Sequence, residues 1–501
     1  IIDAYYLLMP YLTWKNIGGK KRLVMRWNKR INGKSRVVKE IYIGSMDNLA
    51  KLIEQPLEDV EAYSLSYGVS AAITYIDNIL DLSNTINRIM NHRGRGLSPG
   101  DYVKIFIANR LSDPKSKNGI DRWLKNDILS AIYPDVSSQK YWNIMDRFSE
   151  RNIDEIWSEI QKKLVELADF SKIIIDASNI YTFMEENDMA KKGYNKKHRY
   201  DLNQISYYIA TNYDYIPYKG NAYPGNVFDS KTFIDILRDL PDGILIYDKG
   251  YNSKENVMAS RDWKYIGSLK PSDHKDILDL EIKNEHIEFK KEIYGMEHRI
   301  IVYKSESLFK KQYNALMKLI AKSMEKCKAI MKDDSYDRIE KAKSYLETVH
   351  LQETILIGEN GIEINEEKLE EKIRRMGKEI LFTNIMDMDA KEIIELYKKR
   401  GRIEQCFRTI NVLYIASPIY HFTPEKIRVH MFFSLLAYLF LALLYNKLKE
   451  IEGISLVNVP EYLSNIRAIY IISGNVIKRK IESKDPISRK IVEILDLEKM
   501  I

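Results

Sequence analysis

The sequence has 501 residues, of which 45% are hydrophobic and 30% charged, as is ordinary for a globular protein of several domains. Its net charge of +7 is modest, so the distribution of charge matters more than the sum. Only Cys327 and Cys406 occur, which excludes a disulfide framework or a cysteine-based zinc site and favours a reducing, intracellular setting. We recognise no signal peptide. Since the sequence begins with Ile1, we expect the native N-terminus to lie further upstream.

Residues 1–46 predict a basic β-hairpin region. Ten Lys or Arg residues and no acid lie between Trp14 and Lys39. Two predicted strands meet at Asn32-Gly33, a favoured hairpin turn. This pattern favours contact with nucleic-acid phosphates, and the alternative is an edge hairpin whose lysines discourage aggregation.

Residues 47–170 predict helices, with a helix start at Ser98-Pro99 and a basic, turn-rich segment at 113–117. The composition is typical of helical DNA-binding regions and also of helical linkers.

The centre of the chain predicts buried strands that end in acids. The apolar run 171–178 contains Asp176, and the run 243–250 contains Asp248. Between them we predict two strands within 204–219 and a helix over 231–240, capped by the segment 229–231. Central strand ends are where α/β folds place their chemistry, although a single Asp there is commonly a turn former or a cap.

A polar stripe lies near the C-terminal end. On one continuous helix, a single face would carry Tyr397, Arg400, Glu404, Arg408 and Asn411. Glu404 could converge with the two aspartates on divalent cations, and Mg²⁺ prefers such oxygen ligands. Two ions would activate an attacking oxygen and stabilise the leaving oxygen of a phosphodiester. The apolar run Met431–Tyr445 has 15 residues, short of the roughly 20 of a spanning helix, so we predict a buried core helix.

These motifs resemble DDE transposases of prokaryotic insertion sequences, in the group with a ribonuclease H-like core and a Tyr-Arg-Glu signature. The resemblance lies in the stretch 193–237, in YDKGY at 247–251 and in the spacing of Tyr397, Arg400 and Glu404. Asn411 stands where the pattern has a lysine. The similarity extends over nearly the whole chain.

The resemblance implies an α+β or α/β fold in which a ribonuclease H-like core carries an inserted subdomain and follows a mainly helical DNA-binding region. The core would comprise 171–270 and 379–448, with the insertion at 271–378 and a C-terminal helical tail at 449–501. We expect the insertion to cover the active site and touch the transposon end.

The implied activity is transposition by metal-dependent phosphoryl transfer. Asp176, Asp248 and Glu404 would bind Mg²⁺, with Mn²⁺ as a substitute. DNA contacts would come from Tyr397, Arg400, Arg408, Lys249, His198 and Arg199. The implied partner is double-stranded DNA at element ends and target, bound by a homodimer in the prokaryotic nucleoid, with no membrane and no small-molecule substrate. The alternatives are a ribonuclease H-like nuclease that does not join strands and an inactive DNA-binding descendant.

Replacing the third acid tests its assignment. We expect Glu404→Gln to leave folding and DNA binding intact and to abolish strand cleavage in Mg²⁺, measured on labelled DNA. Full cleavage by this variant would refute the assignment.

Overall fold

The structure is a computed structural model that describes residues 10–31, 34–54, 60–94, 96–133, 136–194, 199, 201–332, 336–358, 361–473 and 476–501. The chain forms two compact units. The smaller comprises Ile1–Ser64 and Ile469–Lys480, and the larger comprises Leu65–Ala468 and Ile481–Ile501. The division falls at residue 64, whereas the sequence suggested a boundary at residue 46.

The smaller unit begins with a three-stranded antiparallel sheet, ordered β1-β2-β3. The two predicted strands are confirmed as β2 and β3, while the turn at Asn32-Gly33 lies outside the described residues. The sequence missed β1 and also β4, which lies within the region predicted to be helical. The elements are β1 (Tyr11–Ile17), β2 (Lys20–Ile31), β3 (Lys34–Gly44), α1 (Met46–Glu54) and β4 (Val60–Ser66).

In its described residues the larger unit opens with helices, as the sequence predicts. Helix α4 starts where the sequence placed it, since Ser98 and Asp101 form a reciprocal capping box ahead of Pro99. The helices are α2 (Gly68–Leu80), α3 (Leu82–Ile89), α4 (Pro99–Ser112), α5 (Ile120–Leu124), α6 (Ser138–Met145) and α7 (Glu150–Leu167).

Strands and short helices alternate through the centre of the chain. The predicted cap at 229–231 is wrong, because helix α8 begins after Thr232 without a side-chain cap and Asp229 instead accepts a hydrogen bond from Tyr223 Oη. The elements are β5 (Lys172–Thr182), β6 (Asn203–Thr211), β7 (Pro217–Pro224), α8 (Phe233–Leu237), β8 (Ile244–Tyr247), α9 (Lys254–Ala259), β9 (Lys264–Ser268), α10 (Lys275–Leu278), β10 (His286–Ile293) and β11 (Met296–Lys304).

The predicted insertion is only partly separate from the rest. Strands β10 and β11 join the central sheet, because β11 pairs with β14, so deleting 271–378 would remove two of its strands. The following elements surround a small core of their own, which includes Ile320, Cys327, Leu346 and Ile355. They are α11 (Glu306–Met331), α12 (Arg338–Thr348), β12 (Ile355–Gly358), β13 (Gly361–Ile364) and α13 (Glu366–Arg375), followed by β14 (Lys378–Thr383).

The C-terminal part corrects two predictions. The continuous helix through Tyr397 is wrong, because a 3₁₀ turn at Lys399–Gly401 separates two helices. The tail 449–501 is not only helical, since it contains two strands. The elements are α14 (Ala390–Lys398), α15 (Arg402–Val412), α16 (Pro424–Leu448), α17 (Val459–Ser464), β15 (Ile466–Ser473), β16 (Val476–Ser483) and α18 (Pro486–Ile494).

The central sheet has eight strands in the order β10-β11-β14-β9-β8-β5-β6-β7. Strands β5, β8 and β9 are parallel to one another, and the remaining neighbours are antiparallel. Helix α14 packs on one face, where Ile393 and Tyr397 share a core with Ile246 and Ile266. Helix α15 lies on the same face, with Phe407 against Tyr207 at 5.6 Å between ring centroids.

Helix α16 is the apolar core helix that the sequence predicts. Among the described residues it alone is long and apolar enough to cross a membrane, and 94% of its most apolar window is buried within the protein. Phe433 packs against Phe106 of α4 at 5.4 Å, and Tyr438 Oη donates to the Tyr215 carbonyl at 3.1 Å. The helix thus connects the helical region to the sheet.

Substitution of Gly267 in β9 tests the packing of the sheet. A Cβ at Gly267 would lie 2.4 Å from Phe382 Cε1 and 3.1 Å from Tyr247 Cε2, and both rings are fully buried. We expect Gly267→Ala to lower the free energy of unfolding by about 1–3 kcal/mol, measured by urea denaturation. Gly358→Ala is the control, because no atom lies within 4 Å of its added Cβ. Equal stability of the two variants would contradict this packing.

Candidate active site

Two aspartates lie side by side on the central parallel strands. Strand β5 pairs with β8 in parallel register up to Ile175 opposite Tyr247, so Asp176 and Asp248 occupy the next positions. Asp176 is not at the end of its strand as predicted, since β5 continues to Thr182 paired with β6. It lies where its parallel partner ends, and because side chains alternate along strands, both carboxylates lie on the face that carries α14 and α15.

Hydrogen bonds orient both carboxylates in the same way. The backbone N–H of Ala177 donates to Asp176 Oδ1 at 2.8 Å, and that of Lys249 donates to Asp248 Oδ1 at 2.8 Å. Ser268 Oγ also donates to Asp248 Oδ1, at 3.1 Å. The other oxygen of each carboxylate, Oδ2, is turned towards a common cation.

That cation is the guanidinium of Arg400. Its Nη1 lies 3.6 Å from Asp176 Oδ2 and 3.9 Å from Asp248 Oδ2. The Arg400 side chain is 18% exposed and extends from the 3₁₀ turn between α14 and α15. Burial opposes its charge, but Tyr397, the two aspartates and Glu404 together raise the pKa of Arg400. It therefore remains protonated and offsets the charge of the acidic pair.

Tyr397 lies beneath this ion pair and not on the surface. Its residue is 7% exposed and belongs to the core that α14 forms with the sheet. The Arg400 guanidinium carbon lies 5.5 Å from the centre of its ring, within range of a cation–π interaction. Burial raises the pKa of Tyr397 to about 12, so its hydroxyl stays protonated. A buried ring suits the positioning of Arg400 better than the direct DNA contact predicted for it.

Asp248 is held in its charged form. Burial would raise its pKa, but the charge of Arg400, the Lys249 N–H, the charge of Lys249 and the Ser268 hydroxyl outweigh burial and lower the pKa of Asp248. A carboxylate with a lowered pKa is available as an oxygen ligand at neutral pH.

Glu404 lies within electrostatic range of the site, since its charge helps to raise the pKa of Arg400. It lies on the exposed side of α15, as do Arg408 and Asn411, while Ile403 and Phe407 face the sheet. Within the described ranges, no three Asp, Glu, His or Cys side chains are grouped to hold a metal ion. Convergence of Glu404 with the two aspartates on a metal ion therefore stays a prediction.

The remaining predicted DNA contacts are dispersed. Lys249 is exposed beside Asp248, and Arg199 is exposed and pairs with Asp201 at 2.8 Å. His198 lies outside the described residues. Ser268 was not among the predicted site residues. It ends β9 opposite Asp248, because Tyr247 pairs with Gly267. Its signal was a third short apolar strand that ends in a polar residue.

The donor set fits a hard divalent cation. Asp176 and Asp248 offer carboxylate oxygens, and such ions are commonly held by one or two protein carboxylates together with substrate phosphates. Arg400 contacts the same two Oδ2 atoms, so a metal ion and the guanidinium compete for them.

Removing Arg400 tests the electrostatics of the pair. We expect Arg400→Gln to raise the pKa of Asp248, since burial would then be less opposed. The lowered pKa of the wild type contributes stability above the unfolded value of about 3.9, and that stability is lost as the pH falls through the folded pKa. Because its folded-state Asp248 pKa is expected to be higher, Arg400→Gln should lose this stability at a higher pH than the wild type.

A carbon-13 titration of the Asp248 carboxyl, assigned with Asp248→Asn, measures the shift. Arg408→Gln is the control, since Arg408 is exposed on α15. An unchanged pKa in Arg400→Gln would contradict the role of Arg400.

Comparison with known proteins identifies the family of the chain. Residues 168–440 match the transposase DDE domain family, which is more than half of the chain. No curated protein matches the sequence. Among solved structures, the chain is similar to a piggyBac transposase in a synaptic complex with hairpin DNA, with 8% identity, a TM-score of 0.41 and 79% of each chain covered. The family match, which spans both aspartates and Arg400, shows that this chain belongs to the transposase DDE domain family.

Proposed function

We propose that the protein cleaves phosphodiester bonds at the ends of an insertion sequence and transfers the freed 3′ ends to target DNA. The observation that carries this proposal is the in-register pair of Asp176 and Asp248, whose Oδ2 atoms face one cation position. Double-stranded DNA is then the substrate at both the element ends and the target. Because two ends must be cut, a homodimer is the proposed form in the DNA complex, acting in the prokaryotic nucleoid.

We further propose that the core is ribonuclease H-like. Strands β7, β6 and β5 are antiparallel neighbours, and β8 and β9 continue the sheet in parallel with β5. This arrangement supports the proposal, because it places the first acid on the central strand and the second at the end of the adjacent parallel strand.

Asp176 and Asp248 would hold Mg²⁺, or Mn²⁺ in its place, with Glu404 as the third ligand. When bound, the ions would lower the negative charge around the scissile phosphate and favour displacement at phosphorus. Glu404 lies four residues from Arg400 on the exposed side of α15.

The two reactions are in-line displacements at phosphorus. In the first, a water oxygen bonds to phosphorus, the bond to the 3′ oxygen breaks, the water releases a proton and the leaving oxygen takes one up. In the second, the freed 3′ hydroxyl loses its proton, attacks a target phosphate and displaces a target 3′ oxygen. Arg400 would release the carboxylates and stabilise the phosphate charge, with Tyr397 positioning it, and Lys249 and Arg408 would hold neighbouring phosphates.

A joining assay tests the proposal. The inverted repeats that flank the coding region would supply the end sequence, and a duplex with a labelled 3′ hydroxyl end would be incubated with a plasmid in Mg²⁺. We expect the wild type to produce labelled plasmid. The rate of joining should fall by at least about 100-fold in Asp248→Asn, since a proposed metal ligand is removed.

Asp235→Asn is the matched control, because Asp235 is exposed on α8 and pairs with Arg238 at 3.3 Å. Cleavage without joining would favour a ribonuclease H-like nuclease. DNA binding with neither reaction would favour an inactive descendant, an alternative that Asn411 motivates.

A further inference from the structure

A buried arginine of α4, near α16, has no counterion among the residues that the structure describes. Arg110 is 6% exposed, and no described residue forms a hydrogen bond or an ion pair with it. Its guanidinium carbon lies 5.0 Å from the ring centre of Phe106, and its Nε has no partner. Burial lowers the pKa of Arg110, and the neighbouring hydroxyl groups that oppose this effect belong to Tyr141 and Tyr420. An isolated buried charge is unfavourable, so the position requires a reason.

Two lysines lie on the indole of Trp142 nearby. The ammonium groups of Lys117 and Lys426 lie 3.6 Å and 3.4 Å from its ring centre. Lys426 is neutralised by Asp146 at 2.7 Å. Lys117 has no acidic partner in the part of the chain that the structure describes. Arg110 and Lys117 therefore leave an excess of positive charge.

Two histidines connect these groups. The ring of His421 lies 5.5 Å from that of Trp142 and 5.2 Å from that of His430. Burial, together with Lys117, Arg110 and Lys426, lowers the pKa of His421 to about 4. The Nδ1 atoms of both rings are buried without a partner. We call Arg110, Lys117, Trp142, His421 and Lys426 the Arg110 cluster.

The cluster is linked to the candidate active site by one segment. Residues 413–423 run from the end of α15, which carries Glu404, to the start of α16. His430 Nε2 forms a 2.8 Å hydrogen bond with the Ala416 carbonyl and holds this segment against α16. Tyr420, next to His421 in the chain, is 61% exposed and lies near enough to Arg110 to act on its pKa.

We propose that the Arg110 cluster binds a phosphate group of a DNA strand that passes along the 413–423 segment. A phosphodiester would supply the anion that Arg110 and Lys117 lack, and Arg110 is suited to pair with phosphate through more than one N–H. This inference rests on the proposed function, since DNA is the expected source of the phosphate. Free inorganic phosphate has the same chemistry and is the alternative source.

The salt dependence of DNA binding tests the proposal. Each phosphate contact lowers the slope of log K against log salt concentration by about 0.9. We expect Lys117→Gln to make the slope shallower by about that amount. Lys115→Gln should leave it unchanged, because Lys115 lies on the same segment but already pairs with Asp113 at 2.9 Å. Equal slopes for the wild type and Lys117→Gln would overturn the proposal.

Arg110→Met gives a second measurement. If Arg110 binds a DNA phosphate, this variant should bind DNA more weakly and with a shallower salt-dependence slope. Without DNA, it should unfold in urea no more easily than the wild type. Lower stability with an unchanged slope would assign Arg110 a structural role and overturn the proposal. If the variant does not fold, Lys117→Gln decides.

Histidine NMR distinguishes the two sources of phosphate. A bound anion should raise the pKa of His421 relative to its value in chloride at equal ionic strength. We expect this rise with the end duplex and a smaller rise with inorganic phosphate. If inorganic phosphate alone raises the pKa of His421, and the salt-dependence slope of DNA binding is unchanged in Lys117→Gln, DNA is not the source of the phosphate and the proposal is overturned. If Lys117→Gln joins DNA normally and its slope is unchanged, only this inference fails. If the wild-type protein binds no DNA, the proposed function fails as well.

Discussion

The candidate site depends on the repulsion between two carboxylates that the parallel register of β5 and β8 forces together. Neighbouring strands lie about 4.8 Å apart, and two like charges about 5 Å apart repel by about 3 kcal/mol at an effective dielectric constant of about 20. Arg400 offsets this repulsion from the turn between α14 and α15. The break in the helix, the burial of Tyr397 and the hydrogen bond from Ser268 all keep this cation and the two acids in place.

The same interaction explains how the site would respond to substrate. A divalent cation at the Oδ2 atoms would compete with the guanidinium for them, and a guanidinium released next to a phosphate would have a new anion to pair with. Asp176 and Asp248 together carry more negative charge than Arg400 offsets. The Arg110 cluster carries an excess of positive charge. The segment 413–423 connects the helix that carries Glu404 to that cluster. A DNA strand together with its metal ions would complement both.

Local sequence signals predicted the elements that form local interactions. The helix start at Ser98-Pro99, the two strands β2 and β3 and the core helix α16 follow from spacing, turn residues and apolar length, and all three are confirmed. Elements that depend on distant partners were missed. Strand β4 lies in a sheet with β15, which is about 400 residues away in the sequence, and β10 and β11 join the central sheet through β14.

By itself the sequence determined the candidate site residues. Buried apolar runs that include an acid, and a helical Tyr-Arg-Glu pattern, can be recognised from residue types and spacing alone. The sequence did not determine the arrangement of these residues. Only the tertiary structure decided that Asp176 lies in mid-strand, that Ser268 supports Asp248, that Tyr397 is buried and that Glu404 is exposed. The physical reason is that strand register and helix direction are set by packing between residues far apart in the chain, which no local pattern encodes.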